Sequence, residues 1–164
     1  MKAQAAMEYL MSYGWAIVII VVALAVLVYL GVFSAGGKTP DICSFPPGIQ
    51  CRSFRLEVDG SLNTTIYNGL SDKIIVTGVA CTAEQPTAQG EPPVWESTNA
   101  SIDAGYAGPV NFAACRLGDG TTATGKLGDT YRGRLYIRYH LQSEGSASPR
   151  VIRGDISAGM QPAT

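Results

Sequence analysis

Histidine is almost absent: His140 is the only one in 164 residues. It falls on the polar side of an alternating stretch, which makes it a surface residue and leaves no imidazole pair for a metal or a relay. The sequence has no C-x-x-C spacing, so a zinc ribbon or thioredoxin-like motif is not visible. A phosphate loop is missing too. GDGTTATGKLG (118–128) is glycine-rich and holds Lys126, but Gly125-Lys126 lacks the P-loop spacing and reads as a loop or hairpin. Charge bias is lacking: 12 Lys and Arg stand against 13 Asp and Glu, a net charge of -1, which gives no electrostatic footprint for nucleic acid. Enzymes need a nucleophile with a base, a carboxylate pair, a metal cluster or a phosphate cradle. None is legible, so no enzyme, cofactor or metal site is expected.

One absence is local. No charged residue lies between Tyr9 and Gly37, and GWAIVIIVVALAVLVYLGVF (14–33) is twenty residues long. As a helix it would reach ~30 Å, the thickness of a bilayer's hydrocarbon core. Lys2 before the run, with Tyr9, Tyr13 and Trp15 at one interface and Tyr29 and Phe33 near the other, orients the N-terminus toward the cytoplasm. A secretory signal has a shorter apolar region, roughly 7 to 15 residues, and a small-residue cleavage site. SAGGK (34–38) imitates such a site, so a cleaved signal is the rival of a retained anchor. Neither accounts for Glu8, a carboxylate at the edge of the run. It is either solvated by headgroups or paired, because a charge at full depth costs roughly 2.5 to 3.5 kcal/mol.

KAQAAMEYL (2–10), followed at once by this run, resembles the class III signal of archaeal type IV pilin-like proteins. The resemblance is specific over the first thirty-odd residues and extends more loosely to CSFPPGIQC (43–51). It implies a leader of residues 1–3, removed by a prepilin peptidase between Ala3 and Gln4, and a retained helix over 4–35 that is the membrane span before assembly and the filament core after it. Glu8 then becomes the fifth mature residue. Its implied partner is the new α-amino group of Gln4, and leaving one such charge alone in a dry helix core would cost on the order of 3 to 5 kcal/mol. Gln4 and Glu8 are therefore the expected register residues. At 100° per residue, Ala5, Ser12, Ala16, Ala23 and Ser34 fall within about 20° of one direction, a stripe of small side chains suited to close helix packing. Chance alignment is the alternative, since alanine is common in any span.

Gly36-Gly37, Pro40 and Pro46-Pro47-Gly48 end the helix and build a neck over 36–52. Cys43 and Cys51 flank the Pro-Pro-Gly turn, leaving Cys81 and Cys115. Four cysteines allow three connectivities. The expected bridges are Cys43–Cys51 and Cys81–Cys115, favoured over zinc by an exterior location. From 53 to 164 alternation dominates: SFRLEVDG (53–60), SLNTTIYNG (61–69), KIIVTGVACTA (73–83), RLYIRYHLQ (134–142) and RVIRGDIS (150–157), with shorter VWEST (94–98) and PVNFAAC (109–115). About seven strands at this spacing predict an antiparallel, immunoglobulin-like β-sandwich head. The expected fold is thus α+β, a long apolar N-terminal helix followed by that sandwich.

Asn63-Thr64-Thr65 and Asn99-Ala100-Ser101 are candidate N-glycosylation sites on an exterior head. The expected function is that of a pilin, a structural subunit polymerising with copies of itself into a cell-surface filament for adhesion or attachment. Its expected partners are the peptidase, the assembly machinery, the cytoplasmic membrane before assembly and attached glycans. The alternatives are a monomeric membrane-anchored binding domain and a minor pilin or pseudopilin.

Overall fold

The computed structural model describes residues 2–29, 40–88 and 90–163. It divides into two compact units, Met1–Lys38 and Thr39–Thr164. The first contains one helix, α1 (Lys2–Tyr29), whose side chains are described at Met11 and from Tyr13 onward. The second is built of nine strands: β1 (Ile42–Ser44), β2 (Ile49–Glu57), β3 (Leu62–Asn68), β4 (Ile74–Thr82), β5 (Glu96–Ile102), β6 (Ala107–Phe112), β7 (Cys115–Arg116), β8 (Thr130–Leu141) and β9 (Arg150–Gln161).

The expected α+β fold is corrected on two counts. Strand makes up 48% of the structure, so the chain is mostly β. Within α1 the stretch whose side chains are described without a break runs from Tyr13 to residue 29. That stretch rises ~25 Å, short of the ~30 Å of a hydrocarbon core, and among the described residues no helix is long and apolar enough to cross a membrane. The head, moreover, is not two separate antiparallel sheets. One nine-stranded sheet follows the order β5-β4-β8-β9-β2-β3-β6, with β1 on β9 and β7 on β4, and it curls into a nearly closed barrel. Two parallel contacts depart from a sandwich: β2 meets β9 at Leu56↔Met160 and Glu57↔Gln161, and β7 meets β4 at Cys81↔Cys115.

The physical reason is the length of the last two strands. β8 and β9 each span twelve residues, about 40 Å of chain, and both run past the limits that alternation suggests. β9 pairs with β8 from Arg150 to Gly159 and then with β2 at Met160 and Gln161. It therefore belongs to both halves, and the ladder continues where a sandwich would break.

The inner face follows the alternation in the sequence. Leu56, Leu62, Ile66, Leu135 and Ile137 are buried. The β2–β3 hairpin turns at Asp59-Gly60, where Gly60 takes φ 90° and Asp59 Oδ1 accepts from the Ser61 N–H at 2.9 Å and hydroxyl at 2.8 Å. These bonds hold the Asp59 carboxyl below its ordinary range. In β4 the alternation changes phase. Val76 faces Tyr139 but Gly78 faces Arg138, one residue further along β4 than a regular ladder allows. This bulge at Thr77 turns Val79 and Cys81 inward beside Val76, so residues of opposite parity share one core face.

Candidate functional site

The residues singled out at the N-terminus divide by what is described. The side chains of Ala3, Gln4, Ala5, Glu8 and Ser12, and all of Ser34, lie outside the described residues. Of the small-residue stripe, Ala16 and Ala23 remain; Ala16 is half-buried and Ala23 exposed. Large apolar side chains surround them on every face of α1. Trp15 is 67% exposed, Val28 63%, and Ile17 through Val22 are each more than half exposed. A helix apolar all round is normally covered by protein or lipid, and a continuous apolar surface of this kind marks an interaction face.

In the head, both disulfides are present. Cys43–Cys51 joins β1 to β2, with Cα atoms 5.8 Å apart. Cys81–Cys115 joins β4 to β7 across their parallel pairing at 4.5 Å. Residues 42–52, expected in the neck, carry β1 and the start of β2 and so belong to the sheet. Among the described residues no three His, Cys, Asp or Glu are grouped to hold a metal ion. His140 is 9% exposed rather than on the surface, set in β8 opposite Ile75. The glycine-rich segment 118–128 forms the β7–β8 connection. Asp119 caps its first turn by accepting from Thr121 hydroxyl and N–H at 2.7 and 3.0 Å, which lowers the Asp119 carboxyl. Asp129 accepts from the Lys126 N–H at 2.8 Å in the second.

Two surface features escaped the sequence reading. On the outer face of β2, β3 and β6, the register aligns Arg55 with Asn63 and Asn111, and Ser53 with Thr65 and Pro109. These six line a shallow open cleft of about 290 Å³. Arg55 Nη2 is tied to the Pro162 carbonyl at 2.7 Å and Asn63 Nδ2 donates to Glu57 Oε1 at 3.2 Å. On the same face the Arg52 guanidinium lies 4.6 Å over the Tyr67 ring. The cleft presents amides, hydroxyls and a guanidinium, which hydrogen-bond and do not supply a nucleophile with a base.

The second feature is a lid on the outer face of β4 and β8. Arg138 sits 4.0 Å over the Trp95 ring, and both Arg138 and Trp95 Nε1 reach Glu91 Oε2 at 3.3 Å. Tyr136 meets Trp95 edge-on at 6.4 Å. Gly78 makes this possible, since a Cβ there would lie 3.3 Å from the indole. Tyr136 is consequently buried on the side of β8 that alternation assigns to solvent. Its detection from sequence would have required knowing that Gly78 and Arg138 are cross-strand neighbours.

Tyr131, inside the barrel, donates its hydroxyl to the Arg116 carbonyl at 2.9 Å. Burial, with a smaller contribution from the Glu84 charge, pushes its pKa far above the ordinary phenol value. It stays protonated as a structural donor at any physiological pH. No protein family, curated protein or solved structure matches this chain.

Proposed function

We propose that this chain is a structural subunit of an extracellular filament of the archaeal type IV pilus kind, cut between Ala3 and Gln4 and polymerising through its N-terminal helix. The observation that carries the proposal is KAQAAMEYL (2–10) running straight into the charge-free stretch Tyr9–Gly37. A peptidase that cuts ahead of Gln4 leaves that stretch on the mature protein, where it requires cover. Other copies of the same helix supply that cover once the subunit leaves the membrane.

Three further observations support this reading. The apolar side chains of α1 are exposed from Trp15 onward, the head is a compact unit by itself, and all four cysteines are in disulfides, which suits an oxidising exterior. The polar cleft over β2, β3 and β6 is a candidate contact surface for attachment. The test is to shear filaments from cells of the source organism and identify their main protein and its first residue. The proposal expects this chain, beginning at Gln4. An intact Met1, or a dispersed membrane-bound monomer in cells whose assembly machinery is present, overturns it.

A further inference from the structure

The two sequons are chemically alike in sequence and differently placed in the fold. Asn63 lies in β3, which is laddered on both sides, opposite Arg55 of β2 and Asn111 of β6. Its Nδ2 donates to Glu57 Oε1 at 3.2 Å. The next residue, Thr64, is 3% exposed, and its hydroxyl donates to the Val110 carbonyl at 2.6 Å. An enzyme that must grip this tripeptide would have to strip β3 from two neighbours and open the core beneath it.

Asn99 lies in β5, the first strand of the sheet path, with β4 as its ladder partner. The register breaks at this point. Ser97 faces Gly78 and Ala100 faces Val76, so Thr98 and Asn99 together oppose Thr77. Residues in such a bulge do not make the full set of ladder bonds. Ser97, Asn99 and Ser101 are all exposed, and the i, i+2 relation puts the Asn99 amide and the Ser101 hydroxyl on one side of the strand. The acceptor and the hydroxyl that defines the sequon are therefore presented together, on a strand laddered on one side only.

We infer that Asn99 is the N-glycan acceptor of the folded head and that Asn63 stays unmodified. This rests on the exterior placement in the function proposed above. The donor is a saccharide carried on a lipid phosphate or pyrophosphate. Asn99 Nδ2 forms a bond to the anomeric carbon, the bond from that carbon to the phosphate oxygen breaks, the lipid phosphate leaves with the electron pair, and one amide proton passes to the transferase's base.

Trypsin makes the test direct. Cleavage after Arg55 and Lys73 isolates Asn63 in residues 56–73, and the next site, Arg116, leaves Asn99 in 74–116. Protein isolated from source cells as wild type, Asn99→Gln and Asn63→Gln is digested and mapped by mass spectrometry without reduction. Expected are a glycan mass on 74–116 and none on 56–73, complete loss of glycan in Asn99→Gln, and a wild-type pattern in Asn63→Gln. If Asn99→Gln does not accumulate, Ser101→Ala keeps the asparagine and must lose the glycan as well. Glycan on Asn63, on both sites or on neither overturns the inference. The same digest separates this from the placement it rests on, because each disulfide falls within one peptide, 39–52 or 74–116. Intact bridges without glycan refute the acceptor alone, whereas four free thiols refute the exterior placement too.

Discussion

Asn68 holds three backbone groups with one carboxamide. Its Nδ2 donates to the carbonyls of Asp72 at 2.8 Å and Ile102 at 3.0 Å, and its Oδ1 accepts from the Leu70 N–H at 3.0 Å. The residue is fully buried and ties the end of β3 to the end of β5, near the seam where the barrel does not close by a ladder. Asn68→Ala leaves those groups without their partner and should destabilise the protein by about 2 to 3 kcal/mol. The exposed Asn111→Ala should stay within about 0.5 kcal/mol of wild type. Urea unfolding midpoints of the two variants check this, and equal midpoints would refute it. Asp72 gives a pH prediction. Its Oδ2 accepts from the Ser143 hydroxyl at 2.6 Å and N–H at 3.0 Å, and these bonds hold the carboxyl below its ordinary 3.8. A depressed folded-state pKa contributes stability that is present above the unfolded value and lost as pH falls through the folded one. Melting temperature should therefore drop on going from pH 5 to pH 2.5, and Asp72→Asn should flatten part of that drop. A variant with an unchanged slope counts against the assignment. In the sequence Asn68-Gly69 marks the end of a strand, and β3 does end at Asn68; nothing near it signals burial, because the groups it satisfies include one 34 residues away.

Among the elements, the two disulfides staple different kinds of join. Cys43–Cys51 closes a separation of 8 residues and Cys81–Cys115 one of 34. By loop-closure entropy the first contributes about 2.5 kcal/mol and the second roughly 3 to 4 kcal/mol. The second also anchors β7, two residues long and paired with β4 at only Cys81 and Thr82. Replacing both Cys81 and Cys115 by serine should therefore lower the denaturant midpoint more than replacing Cys43 and Cys51. The reverse order would mean that strain or residual structure in the unfolded state outweighs loop length. At the start of β5, Glu96 closes the seam without a ladder: its two carboxylate oxygens accept from the N–H groups of Ala113 at 2.7 Å and Ala114 at 3.1 Å. Of the strand expected at VWEST (94–98) only Glu96 to Thr98 falls in β5, which runs on to Ile102, and the partners of Glu96 are not legible, since they lie 17 and 18 residues further on.

For the whole molecule the decisive variant is Glu8→Gln. Solvated among headgroups, the carboxylate would be replaced with little effect. Paired with the amine of Gln4, its own or a neighbour's, its loss leaves a cation in an apolar helix core at a cost of about 3 to 5 kcal/mol per subunit. The proposed function expects Glu8→Gln to be processed and folded, with both head disulfides formed, and to yield few or no filaments when counted by electron microscopy at wild-type expression. Normal filament numbers would remove Glu8 from the assembly mechanism.

Local pattern dictates which residues turn inward along a strand and where most strands lie. Leu56, Leu62, Leu135, Ile137 and Tyr139 are buried as alternation requires, because a period of two is a local property of an extended chain. Strand ends are legible for the same reason: Asp59-Gly60 lies just beyond β2, and Asn68-Gly69 straddles the end of β3. Which strands are neighbours, and with that the architecture, follows from contacts between distant parts of the chain. Alternation assigns a face but names no partner, so a sandwich and a curled single sheet read alike until β9 is seen to pair with both β8 and β2. The phase slip at Thr77, the burial of Tyr136 under Trp95, and the unequal surroundings of Asn63 and Asn99 depend in turn on those neighbours. Each is fixed by residues far away along the chain, where a local pattern carries no information.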